Sequence, residues 1–106
     1  MLFARKPSIT PEHAAAALAR RELMLVDVRQ PAELRAGRVH GAVNIPVGQL
    51  RARLDELDHG RQVAFLCHSG ARSSRATGIA VKAGYDAVNV RGGMIAWNRA
   101  GLPLKR

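Results

Sequence analysis

This 106-residue chain has one cysteine, four aromatic side chains, eight acidic residues and no long apolar run. A single thiol closes neither an internal disulfide nor a thiolate zinc cluster, which excludes stapled scaffolds and zinc ribbons. Any chemistry at Cys67 must therefore engage an external group. Two Phe, one Tyr and one Trp are too few for a base-stacking platform. The longest apolar stretches, Ala14 to Ala19 and Val63 to Cys67, fall far short of the roughly 20 residues of a membrane helix. Met1 to Pro7 has no apolar segment leading to a small-residue cleavage site, so neither a membrane span nor a secretory signal is expected. The expected location is the cytoplasm.

The scarcity of acid leaves 17 Lys plus Arg against 8 Asp plus Glu, a formal charge of +9. Clustered arginines would be the footprint of phosphate binding, but here the cations are scattered from Arg5 to Arg106. A solvated basic surface is the better reading, and nucleic acid is not expected as a partner. With 47% hydrophobic and 24% charged residues the composition is that of a globular protein. A chain of this length supports one core, so residues 1–106 are expected to form a single domain.

Thr10-Pro11-Glu12 reads as a helix start, with Thr10 as N-cap, Pro11 at the first helical position and Glu12 near the positive end of the dipole. Leu23 to Val28 is a near-continuous apolar run, the pattern of a strand covered on both faces. Pro31 opens a short helix through Ala36 that Gly37 stops. Val43 to Ile45 is a short strand candidate, and Pro46 starts a helix carrying Leu50, Leu54 and Leu57. Val63 to Cys67 repeats the buried-strand pattern. From Ser73, the positions Ala76, Ile79, Ala80 and Ala83 form one helical stripe, closed by Gly84 as a left-handed cap. Ala87 to Val90 is a further core strand, and Met94 to Ala100 a last helix, whose Met94, Ile95 and Trp97 are expected in the core.

This alternation predicts an α/β fold with a mostly parallel sheet and helices on both faces. Ligands of such sheets bind beyond the carboxyl ends of the strands, which here deliver Asp27 and Arg29, then Cys67, then Arg91-Gly92-Gly93. Cys67-His68-Ser69-Gly70-Ala71-Arg72-Ser73 enters a helix N-terminus, where unpaired backbone N–H groups converge. Gly70 permits positive φ and Arg72 adds a cation. A free thiol needs a shift of about 1.5 units, about 2 kcal/mol, to be half ionised at neutral pH. A partly buried helix terminus supplies up to about 2 kcal/mol, with the converging N–H groups or Arg72 to add the rest. The loop therefore makes Cys67 a nucleophile without a catalytic base. The bland alternative, a small buried hydrophobe, leaves Gly70 and Arg72 without a purpose.

Leu25-Val26-Asp27-Val28-Arg29 with Glu33, Gly41 to Pro46, Cys67 to Ser73, and Gly84-Tyr85 with Gly92-Gly93 and Trp97 together resemble the single-domain rhodaneses, a family of sulfurtransferases. The resemblance spans nearly the whole chain. It implies a five-stranded parallel sheet and a cysteine that carries sulfur as a persulfide. Cys67 would take sulfur from a donor such as thiosulfate and pass it to cyanide or a thiol, with a protein persulfide as a further possible donor. The loop from His68 to Ser73 would stabilise the sulfur anion, and Glu33 would pair with Arg72. Related phosphatases and arsenate reductases of this fold carry five residues between Cys and Arg; here there are four, a ring suited to sulfane sulfur. A carrier or interaction module with little turnover is the alternative reading. Arg38 and His40 stand where the family usually has His and Pro, so no role passes to them.

Several residues read more plainly. His68 is expected to face solvent or gate the substrate rather than act as a base. His13 and His59 read as surface residues, and four dispersed histidines predict no metal site. No cofactor is expected. Asp27 is expected to hold structure at its strand end. Arg29 and Arg91 read equally as anion-steering or as ordinary surface arginines, and with Arg72 and Arg75 they are expected near one sheet edge.

Overall fold

The computed structural model describes residues 7–105. Five strands form one sheet: β1 (Ser8–Ile9), β2 (Leu23–Asp27), β3 (Val43–Asn44), β4 (Gln62–Leu66) and β5 (Ala87–Val90). Their spatial order is β1-β5-β4-β2-β3, and every pairing between them is parallel. Helices α1 (Pro11–Ala19) and α2 (Ala71–Lys82) make the crossovers together with three short 3-10 segments, and α3 (Gly93–Arg99) follows the last strand. No described helix is long and apolar enough to cross a membrane.

Successive side chains of a strand point to opposite faces, and the core divides accordingly. Leu23 and Leu25 of β2, Ala64 and Leu66 of β4, and Val88 and Val90 of β5 pack with Ala14 and Ala17 of α1 and with Met94 and Trp97 of α3. On the other face Val26, Val63, Phe65, Cys67 and Ala87 pack on Ala76 and Ala80 of α2, with Ile45, Leu50 and Leu57. The central strands β2, β4 and β5 are buried on both sides, which explains their near-continuous apolar runs. By the same alternation Asn89 shares the α2 face with Ala87, and its register partner is Phe65. That places it on the face of Cys67.

The helix termini follow local chemistry. Thr10 Oγ1 accepts the His13 N–H at 3.1 Å. At the end of α2, Gly84 has φ +97, its N–H meets the Val81 carbonyl, and the Tyr85 N–H reaches back to Ala80, a Schellman closure.

Two expectations need correction. The stretch after Pro46 is not an α-helix but two 3-10 segments, Val47–Gln49 and Arg51–Glu56, with non-helical Arg53. Its bonds run from residue i to i−3, as from Leu50 to Val47 and Leu57 to Leu54. Leu50 and Leu57 reach the core this way, so their spacing alone did not specify the helix type. The short helix expected from Pro31 through Ala36 and stopped at Gly37 is present, as a 3-10 helix. Ile95 is 40% exposed, because the first turn of α3 turns it outward while Met94 and Trp97 face the core.

Candidate active site

β2 and β4 are adjacent and in register, with Asp27 beside Leu66. The chain beyond them, Val28-Arg29 and Cys67-His68, therefore leaves the sheet side by side. The Cys67 loop turns at Gly70, whose φ of +112 is open to glycine at little cost, and α2 begins directly after it at Ala71, earlier than the stripe from Ser73 implied. This turn aims the Gly70 N–H at the sulfur, 3.0 Å from Sγ. From the first turn of α2 the Ser73 hydroxyl reaches Sγ at 3.2 Å.

Cys67 is buried, and burial pushes its thiol up. The Ser73 hydroxyl and the backbone N–H groups of Ser73, Gly70 and Ser69 act against that, and together they hold the pKa below the ordinary thiol value. The anion is thus favoured by hydrogen bonds. The Arg72 fork does not reach it: Nη1 and Nη2 go to the two carboxylate oxygens of Glu33 at 2.6 and 2.9 Å. Glu33 is pulled down to about 2, first by the Arg72 hydrogen bond against the opposing effect of burial, then by the Gln30 N–H and the nearby charges of Arg72 and Arg29. The pair ties the first turn of α2 to the 3-10 segment that follows β2.

A second restraint comes from α3. Its first N–H groups have no partner within the helix, and two of them, on Met94 and Ile95, donate to the carbonyls of Cys67 and His68 at 2.8 and 3.1 Å. The approach needs a glycine at position 93, since a Cβ there would lie 2.5 Å from the Cys67 carbonyl oxygen and 2.6 Å from that of His68. Cys67 is therefore fixed from both ends of its loop.

This geometry agrees with what comparison finds. The description "Rhodanese-like domain" matches residues 10–100. The chain belongs to the rhodanese-like family. A sulfurtransferase of Allochromatium vinosum is 42% identical over 84 residues, covering 78% of each chain. The thiosulfate sulfurtransferase GlpE of Glaesserella parasuis is 30% identical over 98 residues, 92% of this chain and 91% of that one. Among solved structures, a rhodanese-related protein of Thermoplasma volcanium superposes with a TM-score of 0.87 at 29% identity, over 93% of this chain and 97% of that one. At the family level this rhodanese-like domain is a sulfurtransferase homologue with the corresponding α/β fold.

Within the rhodanese-like domain, His68, Ser69 and Ala71 are the exposed residues of the loop, Gly70 and Arg72 are half-buried, and Ser73 is buried. Arg29 is neither a surface arginine nor an anion-steering one. It is 4% exposed, and its backbone N–H, Nε and Nη2 all donate to the Asp27 carboxylate, at 2.8 to 3.1 Å. Its remaining bonds go to the carbonyls of Glu33 and Gly37. Asp27 is correspondingly buried at the strand end, bound to Arg29 and not to the cysteine loop. Arg75 is exposed, and Arg91 bonds Ser8 Oγ through Nε and Nη2. Two residues of the site carried no role in the sequence reading: Gly93, and Asn89, whose Oδ1 accepts the Ser73 hydroxyl at 2.6 Å. The signal for Asn89 was a polar side chain inside the apolar strand Ala87 to Val90.

Proposed function

We propose that this protein is a sulfurtransferase that carries sulfane sulfur on Cys67, with thiosulfate as a competent donor and cyanide or a thiol as acceptor. The observation that supports this most directly is the Cys67 sulfur ringed by the Gly70 N–H and the Ser73 hydroxyl without a bonded cation. Such a sulfur ionises more readily than an ordinary thiol, and no bonded cation quenches the anion once formed. In the first step the Cys67 thiolate attacks the outer sulfur of thiosulfate; the S–S bond breaks, sulfite leaves with its electron pair, and a Cys67 persulfide anion remains. In the second, cyanide or a thiolate attacks the outer persulfide sulfur, leaving as thiocyanate or a new persulfide and returning the Cys67 thiolate. The N–H groups of Ser69, Gly70 and Ser73 hold negative sulfur in both steps, as an oxyanion hole holds oxygen.

Four residues separate Cys67 from Arg72, and the Arg72 fork is committed to Glu33. Both features disfavour a tetrahedral oxyanion in the ring. The expected result is a gain of one sulfur atom in intact mass on thiosulfate treatment, lost again on adding cyanide and absent from Cys67→Ser. No gain from thiosulfate or from any other sulfane donor, including a cysteine desulfurase, overturns the reading. Gain from the desulfurase alone assigns a carrier fed by a protein, and Cys67-dependent hydrolysis of an aryl phosphate replaces sulfur transfer with phosphatase chemistry.

A further inference from the structure

Ser73 Oγ carries one proton and stands against three acceptors: Asn89 Oδ1 at 2.6 Å, the Gly70 carbonyl at 3.2 Å and Cys67 Sγ at 3.2 Å. The shortest of these contacts takes the proton. Ser73 then has none to offer the sulfur, and its contact with Sγ must be the thiol donating to Oγ. This orientation of the hydroxyl fits the thiol form of Cys67, whereas the help that Ser73 gives the anion requires the other orientation, with the hydroxyl donating to sulfur. Once the thiol ionises, sulfur only accepts, so the hydroxyl must turn toward it. That turn would leave Oγ and Oδ1 facing each other at 2.6 Å with no proton between them.

An asparagine resolves this conflict and few other side chains do. Its amide carries an acceptor and a donor of nearly equal size, exchanged by a half-turn about the Cβ–Cγ–amide axis. With Nδ2 toward Ser73, the amide donates to Oγ and the hydroxyl is free to donate to sulfur. Nδ2 has no protein acceptor among the described residues in its present orientation, so the half-turn breaks no protein hydrogen bond at that end. The Asn89 backbone is meanwhile fixed, its N–H bonded to the Pro7 carbonyl and its strand paired with β4.

We propose that Asn89 is a positioning residue for the Cys67 sulfur: it takes the Ser73 proton when the sulfur is a thiol and, turned over, supplies one when the sulfur is an anion. The assignment rests on Cys67 being the sulfur-carrying nucleophile. Asn89 does not touch that sulfur and acts through Ser73. Other charges that reach this corner are Arg72 on α2 with its partner Glu33, and Asp27 on β2, itself held by Arg29. His68 adjoins Cys67 in the loop. None of these is altered in the variants below.

The test follows the pH dependence of Cys67 alkylation by iodoacetamide, which requires no sulfur transfer. Asn89→Asp keeps the shape but accepts only, so it locks the Ser73 proton away from sulfur; the midpoint rises by about one pH unit, as for loss of one hydrogen bond to an anion. The same substitution also adds a charge, whose direct effect persists in a Ser73→Ala background. The expected result is a shift at least halved in that background. Asn89→Leu, which holds no proton, stays nearer the wild-type midpoint than Asn89→Asp. No shift in Asn89→Asp, or a shift undiminished by Ser73→Ala, overturns the proposal. Should Asn89→Asp fail to fold, the wild-type Asn89 Nδ2 resonances decide: they move with the Cys67 midpoint and are flat in Cys67→Ser, and flat wild-type resonances overturn it. Failure of sulfur transfer itself is read separately, from the persulfide mass of the wild type.

Discussion

Asp27 at the end of β2 and Cys67 just beyond β4 lie at neighbouring strand ends, and each gathers hydrogen bonds from a nearby loop. At the β2 corner the anion meets its cation directly: Arg29 bonds both Asp27 oxygens, is buried with it, and spends further N–H groups on two carbonyls. At the β4 corner the arginine is turned away. Arg72 is bound to Glu33, both about one-third exposed, and the sulfur is served by N–H and hydroxyl groups. An ion pair would stabilise an anion while weakening it as a nucleophile. Dipoles lower the cost of ionisation and leave the electron pair available. The two corners thus hold their acidic groups differently, a carboxylate paired with a cation in one place and a thiol served by dipoles in the other.

The contrast is broken most directly at the anchor. Asp27→Ala strands the Arg29 guanidinium in the core, and the expected loss of stability in urea is about 3–5 kcal/mol. Cys67→Ala removes only a sulfur atom from the opposite face, with a loss of about 1–2 kcal/mol, and abolishes persulfide formation. Equal losses from the two variants would erase the distinction between the corners. Next in size is Gly93→Ala. The new Cβ collides with the Cys67 and His68 carbonyls at a residue with φ +60, which costs about 1–3 kcal/mol. Because the collision moves the loop, persulfide loading from thiosulfate falls even where the protein remains folded. Unchanged loading would show that the α3 restraint serves stability alone.

The elements that could be read from the chain are those whose burial shapes their composition. β2, β4 and β5 are apolar on both faces, and α2 carries its alanines in a stripe. β1 was not read, because two residues, Ser8 and Ile9, carry no period; its place is set by pairing with β5, through bonds such as the Arg91 N–H to the Ile9 carbonyl. Arg29 is neither of the two things its place at a strand end suggested, an anion-steering or an ordinary surface arginine. In an extended strand residues two apart share a face, so Asp27-Val28-Arg29 already brings the pair together. The Glu33–Arg72 contact joins residues 39 apart, and no local pattern reports it. Only the family resemblance brought those two together. Asn89 was visible as a polar interruption, but its meaning depends on β5 lying next to β4 with Phe65 in register, which is tertiary information.

The smallest effect sharpens the comparison through pH. Glu33 titrates near 4.5 when unpaired and at about 2 in the folded protein. Its folded value is depressed, so its contribution to stability is complete above about 4.5 and lost as pH falls through about 2. Exposure of the pair limits that contribution to about 1 kcal/mol or less, since water screens it. Urea midpoints of wild type and Glu33→Gln should therefore differ by a constant small amount near neutrality and converge between pH 4.5 and 2. A gap that stays constant over that window would mean the carboxylate contributes through its shape and not its charge. The alkylation midpoint of Cys67 should change little in Glu33→Gln, because the sulfur takes its stabilisation from Ser69, Gly70 and Ser73. A large upward shift would instead make the Glu33–Arg72 pair part of what holds those donors on the sulfur, and the two corners would no longer be separate in kind.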